Sequence, residues 1–334
     1  MSANSDLAKI AKDLMADPRG LLAADESNKS AEKRFAALRI PSSPEMRRRY
    51  RHLLFTAPNF AQYISGVILY DETIRQKTNS GIKFTKYLRR QGIAVGIKVD
   101  KGLVPFTNFE PETITEGLDG LAERLDEYYK MGARFTKWRA AFQIDSKLRL
   151  PTAAAIHANL NQMARYACLV QSAGMVPIVE PEVLYEGNHS LETCEQVVSQ
   201  VLRVLFDLLI AYRVDLKGVI LKTSMVLAGH DSSRPSSPSD VAKATVRVLR
   251  QRVPKEVAGI VFLSGGQTPR QATEDLNAIA RAGKEPWPIS FSYSRAVQEP
   301  ALSTWRGKKR NIAPAQIAFI ERLALNSLAR DGQL

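Results

Sequence analysis

The chain has 334 residues, 45% of them hydrophobic and 24% charged, with two cysteines and a formal net charge of +13. Such a length and composition are those expected of one large soluble domain spanning residues 1–334, and no apolar run approaches the roughly 18 residues of a membrane span. The excess of positive charge points to an anionic partner, while the lack of zinc-finger spacing, a basic zipper or an RNA-binding motif argues against specific nucleic acid.

The first segment, MSANSDLAKIAKDLM, lacks the basic start and continuous apolar stretch of a secretory signal and reads as an amphipathic helix. Cys168 and Cys194 both fall inside helical patterns and are too few for a disulfide framework, so a reducing cytoplasm is expected. An apolar run, LLAAD, then ends at Asp25. A short linker, PSSP at 41–44, leads to the densest basic cluster, RRRYRH from Arg47 to His52, which reads as the solvated face of a helix backed by Leu53, Leu54 and Phe55.

Further apolar runs follow at intervals: YISGVILYDE ending near Glu72, IAVGIKV around Lys98, ARFTKW around Lys137 and MVPIVEPE around Glu180. LETCEQVVSQVLRVLFDLLIA, from Leu191, repeats apolar residues along one helix face. GVILK ends at Lys222, the polar DSSRPSSPS at 231–239 reads as a surface loop, and GIVFLS ends at Ser264. The next helix carries its own punctuation, with Thr268 as N-cap, Pro269 at the first position, Gln271 to complete a capping box and Gly283 as the stop. PISFSYSR ends at Arg295, and a last helix is predicted over 314–331. About eight continuous apolar runs alternating with helices predict an α/β fold of parallel strands buried on both faces, a (β/α)8 TIM barrel with extra N-terminal and C-terminal helices. A doubly wound sheet is the alternative.

In such a barrel the C-terminal strand ends share one mouth. Here they bring Asp25, Lys98, Lys137, Glu180, Glu182, Lys222, Ser264 and Arg295 together, a set of charges that must be compensated or used. A lysine held in an apolar strand among other cations is discouraged from keeping its proton, which frees its amine to attack ketones and aldehydes. The protonated imine that results can accept electrons from a neighbouring carbon–carbon bond, with no metal or other cofactor. Lys222, Lys98 and Lys137 all fit this description, and the pattern does not choose among them. Glu180 and Glu182 in VEPE share one strand face, so that mutual repulsion would favour protonation of one of them for acid catalysis. The LSGGQ turn, Leu263 to Gln267, can bring backbone N–H groups and a helix N-terminus to an anion. His52, His157, His189 and His230 are scattered without metal-ligand spacing.

Taken together these residues resemble the class I, metal-free, Schiff-base fructose-bisphosphate aldolases. The resemblance runs from about Leu7 to Gly332 through GLLAADES, ISGVILYDET, VGIKVDKG, FTKWR, VPIVEPE, LKTSMV, FLSGGQ, FSYSRA and NSLARDGQL. It implies reversible cleavage of fructose 1,6-bisphosphate to dihydroxyacetone phosphate and glyceraldehyde 3-phosphate. It also implies a homotetramer, with Lys222 as the imine-forming residue, Glu180 as the main acid and base, Asp25 as the base at the C4 hydroxyl, and Lys137 and Glu182 as charge partners. Ser264, Gly265, Gly266 and Arg295 match a site for the C1 phosphate. Ser27, Ser30 and Lys98 match the C6 side, with Arg34 and Arg139 as basic neighbours.

Four features depart from that pattern: Lys29 where a glycine is common, Thr223 and Ser224 where many relatives have Pro and Asn, Ser294 where a glycine precedes the phosphate-binding arginine, and a sequence that stops at Leu334 without a tyrosine-ended tail. Competing readings are a Schiff-base aldolase or transaldolase for other sugar phosphates, such as sedoheptulose 1,7-bisphosphate, and a basic barrel that acts mainly as a binding protein.

Overall fold

A computed structural model describes residues 3–334. Ten strands occur in chain order: β1 (Gly20–Ala24), β2 (Ile64–Leu69), β3 (Ala94–Lys98), β4 (Gly102–Pro105), β5 (Thr113–Glu116), β6 (Phe135–Phe142), β7 (Val176–Val183), β8 (Ile220–Thr223), β9 (Gly259–Phe262) and β10 (Ile289–Tyr293). Each of the eight predicted apolar runs supplies one barrel strand, and they close in the order β1-β10-β9-β8-β7-β6-β3-β2. All of these pairings are parallel. The fold is therefore a (β/α)8 TIM barrel. The antiparallel hairpin β4–β5 was not foreseen, because its strands are short and only partly buried.

Alternation along each strand divides two cores. Leu22, Val67, Trp138, Val179 and Leu221 pack outward beneath the surrounding helices. Leu21, Ile68, Phe135, Ile178, Ile220 and Val261 fill the inside of the barrel. Into that inner core the N-terminal helix, Ala3–Leu14, inserts Leu7, Ala11 and Leu14, followed by Met15. Its contacts with Gly66, Gly218 and Gly259 place it under the N-terminal ends of the strands, where it plugs the barrel. Continuing the inward parity two residues past Phe135, Ile178 and Ile220 arrives at Lys137, Glu180 and Lys222. The top layer of the interior is thus charged where the layers below are apolar.

Local expectations are refined at four places. PSSP is a helix start rather than a linker, with Ser43 capping Pro44–Phe55 by accepting from Met46 N. The end of the 231–239 segment likewise forms a capping box, Ser237 with Asp240, at the head of Pro238–Arg252. Thr268 caps Pro269–Arg281 as predicted, but Gln271 makes no capping box; its side chain amide instead donates to the Tyr185 hydroxyl at 3.4 Å. The last helix runs Ile312–Arg330.

The basic cluster also differs from a solvated face. Arg47 pairs with Glu72, Arg48 with Glu45, and Arg51 is buried against Glu26.

Close packing inside the barrel makes one backbone position unforgiving. A Cβ on Gly96 would meet the Phe135 ring at 2.2 Å. Gly96→Ala is expected to lower stability by about 1–3 kcal/mol through overpacking, read as a fall in the denaturant midpoint with an unchanged m-value.

Candidate functional site

The charged layer opens into a cavity of about 930 Å³ at the C-terminal mouth of the barrel. Of the predicted residues, Asp25, Ser27, Ser30, Lys98, Lys137, Arg139, Glu180, Glu182, Lys222, Ser264, Gly265 and Arg295 line it. Gly266 and Arg34 do not. Gly266 completes the turn behind Gly265, both at positive φ, and Arg34 reaches the site only through Glu26.

At the floor lies a chain of buried charges. Lys222 Nζ is 2.8 Å from Glu180 Oε1, Lys137 Nζ is 2.9 Å from Glu180 Oε2, and the same Lys137 Nζ is 2.7 Å from Asp25 Oδ2. The Lys137 approach to Glu180 Oε2 is a charge contact whose angle leaves that oxygen without a hydrogen-bond donor. Two cations and two anions therefore alternate in a space with almost no access to solvent, with none of the four more than 8% exposed.

For Asp25, Glu180 and Lys137 burial, the largest influence, works against the charged form, yet the partners outweigh it. Asp25 is lowered to about 2 by Lys137 and Lys222, and Glu180 is lowered by the same two lysines. Lys137 is raised by Asp25, Glu180 and Asp100. For Glu180 this direction runs against the expectation that mutual repulsion would raise one member of the Glu180–Glu182 pair. Glu182 is instead ion-paired with Arg139, and the neighbours that decide the state of Glu180 are lysines. Lys222, too, sits beside a carboxylate rather than among cations alone.

Strand endings explain how these side chains are held. β7 and β8 pair only at Ile178↔Ile220 and Val179↔Leu221. Beyond that the Ser224 hydroxyl takes over the ladder, donating to Val183 O at 2.9 Å and accepting from Val183 N at 3.0 Å. Ser224 and Thr223, the two departures after Lys222, are both buried, so the strand carrying the lysine is clamped on both sides of it.

At the rim, Ser27 caps the helix Asn28–Ala37, accepting from Ser30 N at 3.2 Å. Its hydroxyl lies 3.0 Å from that of Ser30, which sets two hydroxyls and a helix N-terminus at one end of the cavity. Lys29 is exposed and lines the same end. After β9, the LSGGQ turn is closed by Gln267 N donating to Ser264 O at 2.8 Å, and Arg295 reaches the cavity as well. Both ends suit an anion.

Two carboxylates were missed from the sequence. Asp100 holds the Lys98 ammonium and accepts from the Arg139 backbone N–H at 3.3 Å. Glu26 accepts from Arg34, Arg51 and Ser294. Their adjacency to Lys98 in GIKVDKG and to Asp25 in AADES was the available signal.

A family model described as "Fructose-bisphosphate aldolase class-I" matches residues 6–334. The chain is 48% identical over 328 residues to a "Probable fructose-bisphosphate aldolase class 1" of Xanthomonas campestris, covering 98% of each. It is 47% identical over 330 residues to "Fructose-bisphosphate aldolase, non-muscle type" of Lethenteron camtschaticum, covering 98% of this chain and 90% of the other. Among solved structures it is similar to fructose-bisphosphate aldolase from Plasmodium falciparum in complex with TRAP and a small molecule inhibitor. The TM-score is 0.98 at 44% identity, over 99% of this chain and 95% of that one.

The lowered Asp25 has a thermodynamic signature. A carboxyl whose value falls on folding from 3.8 to about 2 contributes stability that is present above the unfolded value and lost as pH drops through the folded one. Between pH 5 and pH 2 the wild type is expected to lose about 2 kcal/mol more than Asp25→Asn, measured by urea unfolding at each pH.

Proposed function

The chain belongs to the class I fructose-bisphosphate aldolase family and cleaves fructose 1,6-bisphosphate reversibly to dihydroxyacetone phosphate and glyceraldehyde 3-phosphate, and we propose that it does so through a Schiff base on Lys222. The observation that carries this assignment is the 2.8 Å approach of Lys222 to Glu180 at the buried floor of the cavity. Lys137 is engaged by two carboxylates and held above the ordinary lysine value, and Lys98 is tied to Asp100, so Lys222 has the partner best suited to take its proton.

Lys222 passes a proton to Glu180, the free amine attacks the C2 ketone, and the excess proton on the nitrogen moves to the oxygen to give a neutral carbinolamine. Glu180 then protonates the C2 hydroxyl, which leaves as water while the nitrogen lone pair forms the C=N bond. Because Glu180 is ionised in the free site, the proton it donates comes from the lysine. The cationic imine draws electrons from the C3–C4 bond. Asp25, ionised at neutral pH, takes the proton of the C4 hydroxyl, C4 becomes the carbonyl of glyceraldehyde 3-phosphate, and the bonding pair enters an enamine. Protonation at C3 and hydrolysis of the imine release dihydroxyacetone phosphate and restore Lys222. Lys137 remains a fixed cation between the two carboxylates, and the Arg139–Glu182 pair completes the local charge balance.

Ser264, Gly265, Gly266 and Arg295 are assigned to the C1 phosphate, and Ser27, Ser30 and Lys98 to the C6 phosphate, with Arg139 and, behind Glu26, Arg34 adding positive field. The reaction is a step of glycolysis. Residues 1–334 acting as one domain, a tetrameric assembly and a cytoplasmic setting belong to the same proposal, supported by family membership. No helix among the described residues is long and apolar enough to cross a membrane.

Incubation with dihydroxyacetone phosphate and borohydride in the presence of a chelator is expected to leave a reduced adduct on the Lys222 peptide, located by mass spectrometry. An adduct on Lys98 or Lys137 would reassign the nucleophile. Glu180→Gln is expected to lower kcat by about 10²–10⁴-fold while still binding substrate, as loss of a general acid and base should.

A further inference from the structure

The pairing of β1 with β10 stops at Leu22↔Tyr293, and the two chains then part. One continues through Asp25 and Glu26 to Ser27 and Ser30, the other through Ser294 to Arg295. The two phosphate-binding ends of the cavity therefore diverge from a common seam.

Side chains hold that seam together. Ser294 Oγ donates to Glu26 Oε1 at 2.6 Å, and Gln298 Nε2 donates to the Ala23 carbonyl at 2.6 Å and to Ser294 Oγ at 3.2 Å. Gln298 is fully buried, and its Oε1 accepts from the Tyr50 hydroxyl at 3.1 Å. Glu26 is itself anchored from behind, since Arg34 donates to Oε1 and the buried Arg51 donates to Oε2 at 2.6 Å. Arg295, by contrast, is exposed to the cavity and forms no ion pair among the described residues. The position of its backbone is set by the residue just before it.

We propose that Ser294 is a specificity-determining positioning residue, whose hydroxyl, braced on Glu26, fixes the separation of the two phosphate-binding ends so that the site favours a ketose phosphorylated at both ends over one phosphorylated only at C1. This rests on the assignment of the two ends made above. A substrate with one phosphate can follow Arg295 if it drifts, because nothing holds its far end. A bisphosphate must meet both ends at once, and an arginine that engages phosphate in a directed geometry tolerates little displacement. The hydroxyl at this position is one of the places where the chain departs from the aldolase pattern, so the brace belongs to this chain's own residues.

The test compares kcat/KM for fructose 1,6-bisphosphate and fructose 1-phosphate in the wild type, Ser294→Ala and Ser294→Thr. Ser294→Ala should lower the bisphosphate-to-monophosphate ratio about tenfold, mainly through KM for the bisphosphate, the size expected for losing a hydrogen bond to a charged acceptor. Ser294→Thr, which keeps the hydroxyl, should restore the ratio. An unchanged ratio in Ser294→Ala, or an equal fall with both substrates, would overturn the inference while leaving the aldolase reading intact. A wild-type protein inert toward both sugars would overturn the reading itself and the inference with it.

Discussion

The site depends on one constraint: four charged groups, Asp25, Lys137, Glu180 and Lys222, occupy a place with little access to water. Isolated, any one of them would be driven to neutralise or to open the barrel, since an unpaired buried charge costs several kcal/mol. Arranged in alternation, they sum to zero and each lies beside an opposite charge. The barrel supplies this arrangement through strand parity and register. Adjacent strands β6, β7 and β8 each turn inward a charged residue two positions after an inward apolar one, and Lys137 lies directly beside Ile178 in the pairing of β6 with β7. Chemistry and packing are thus two uses of the same register.

Much of this was legible in the sequence, for a physical reason. A strand buried on both faces must be apolar throughout, so a charged residue at its end stands out, and Asp25, Lys98, Lys137, Glu180 and Lys222 were all visible in this way. What could not be read was how the charges pair. Glu180 is lowered, where repulsion was expected to raise one member of the Glu180–Glu182 pair, because sequence spacing shows Glu182 two residues away but cannot show two lysines arriving from neighbouring strands. Arg51 was hidden for a related reason: in RRRYRH it looks like its solvated neighbours, and only the fold turns it inward toward Glu26. Glu26 and Asp100 were overlooked since each follows a more conspicuous charged residue.

The overall positive charge also changes its meaning once the partners are known. Arg47, Arg48, Arg51 and Arg139 are each committed to a carboxylate. At the rim of the mouth Arg295 and Lys29 face the cavity, and neither forms an ion pair among the described residues.

The N-terminal helix, inserted under the strands with Leu7, Ala11, Leu14 and Met15, has a consequence for turnover. With the far end of the barrel stoppered, the mouth is both entrance and exit. By the proposed route one product is still bonded to Lys222 when the other becomes free, so traffic through that single doorway is ordered: the aldehyde departs first, and the ketone follows only after water has entered to release it.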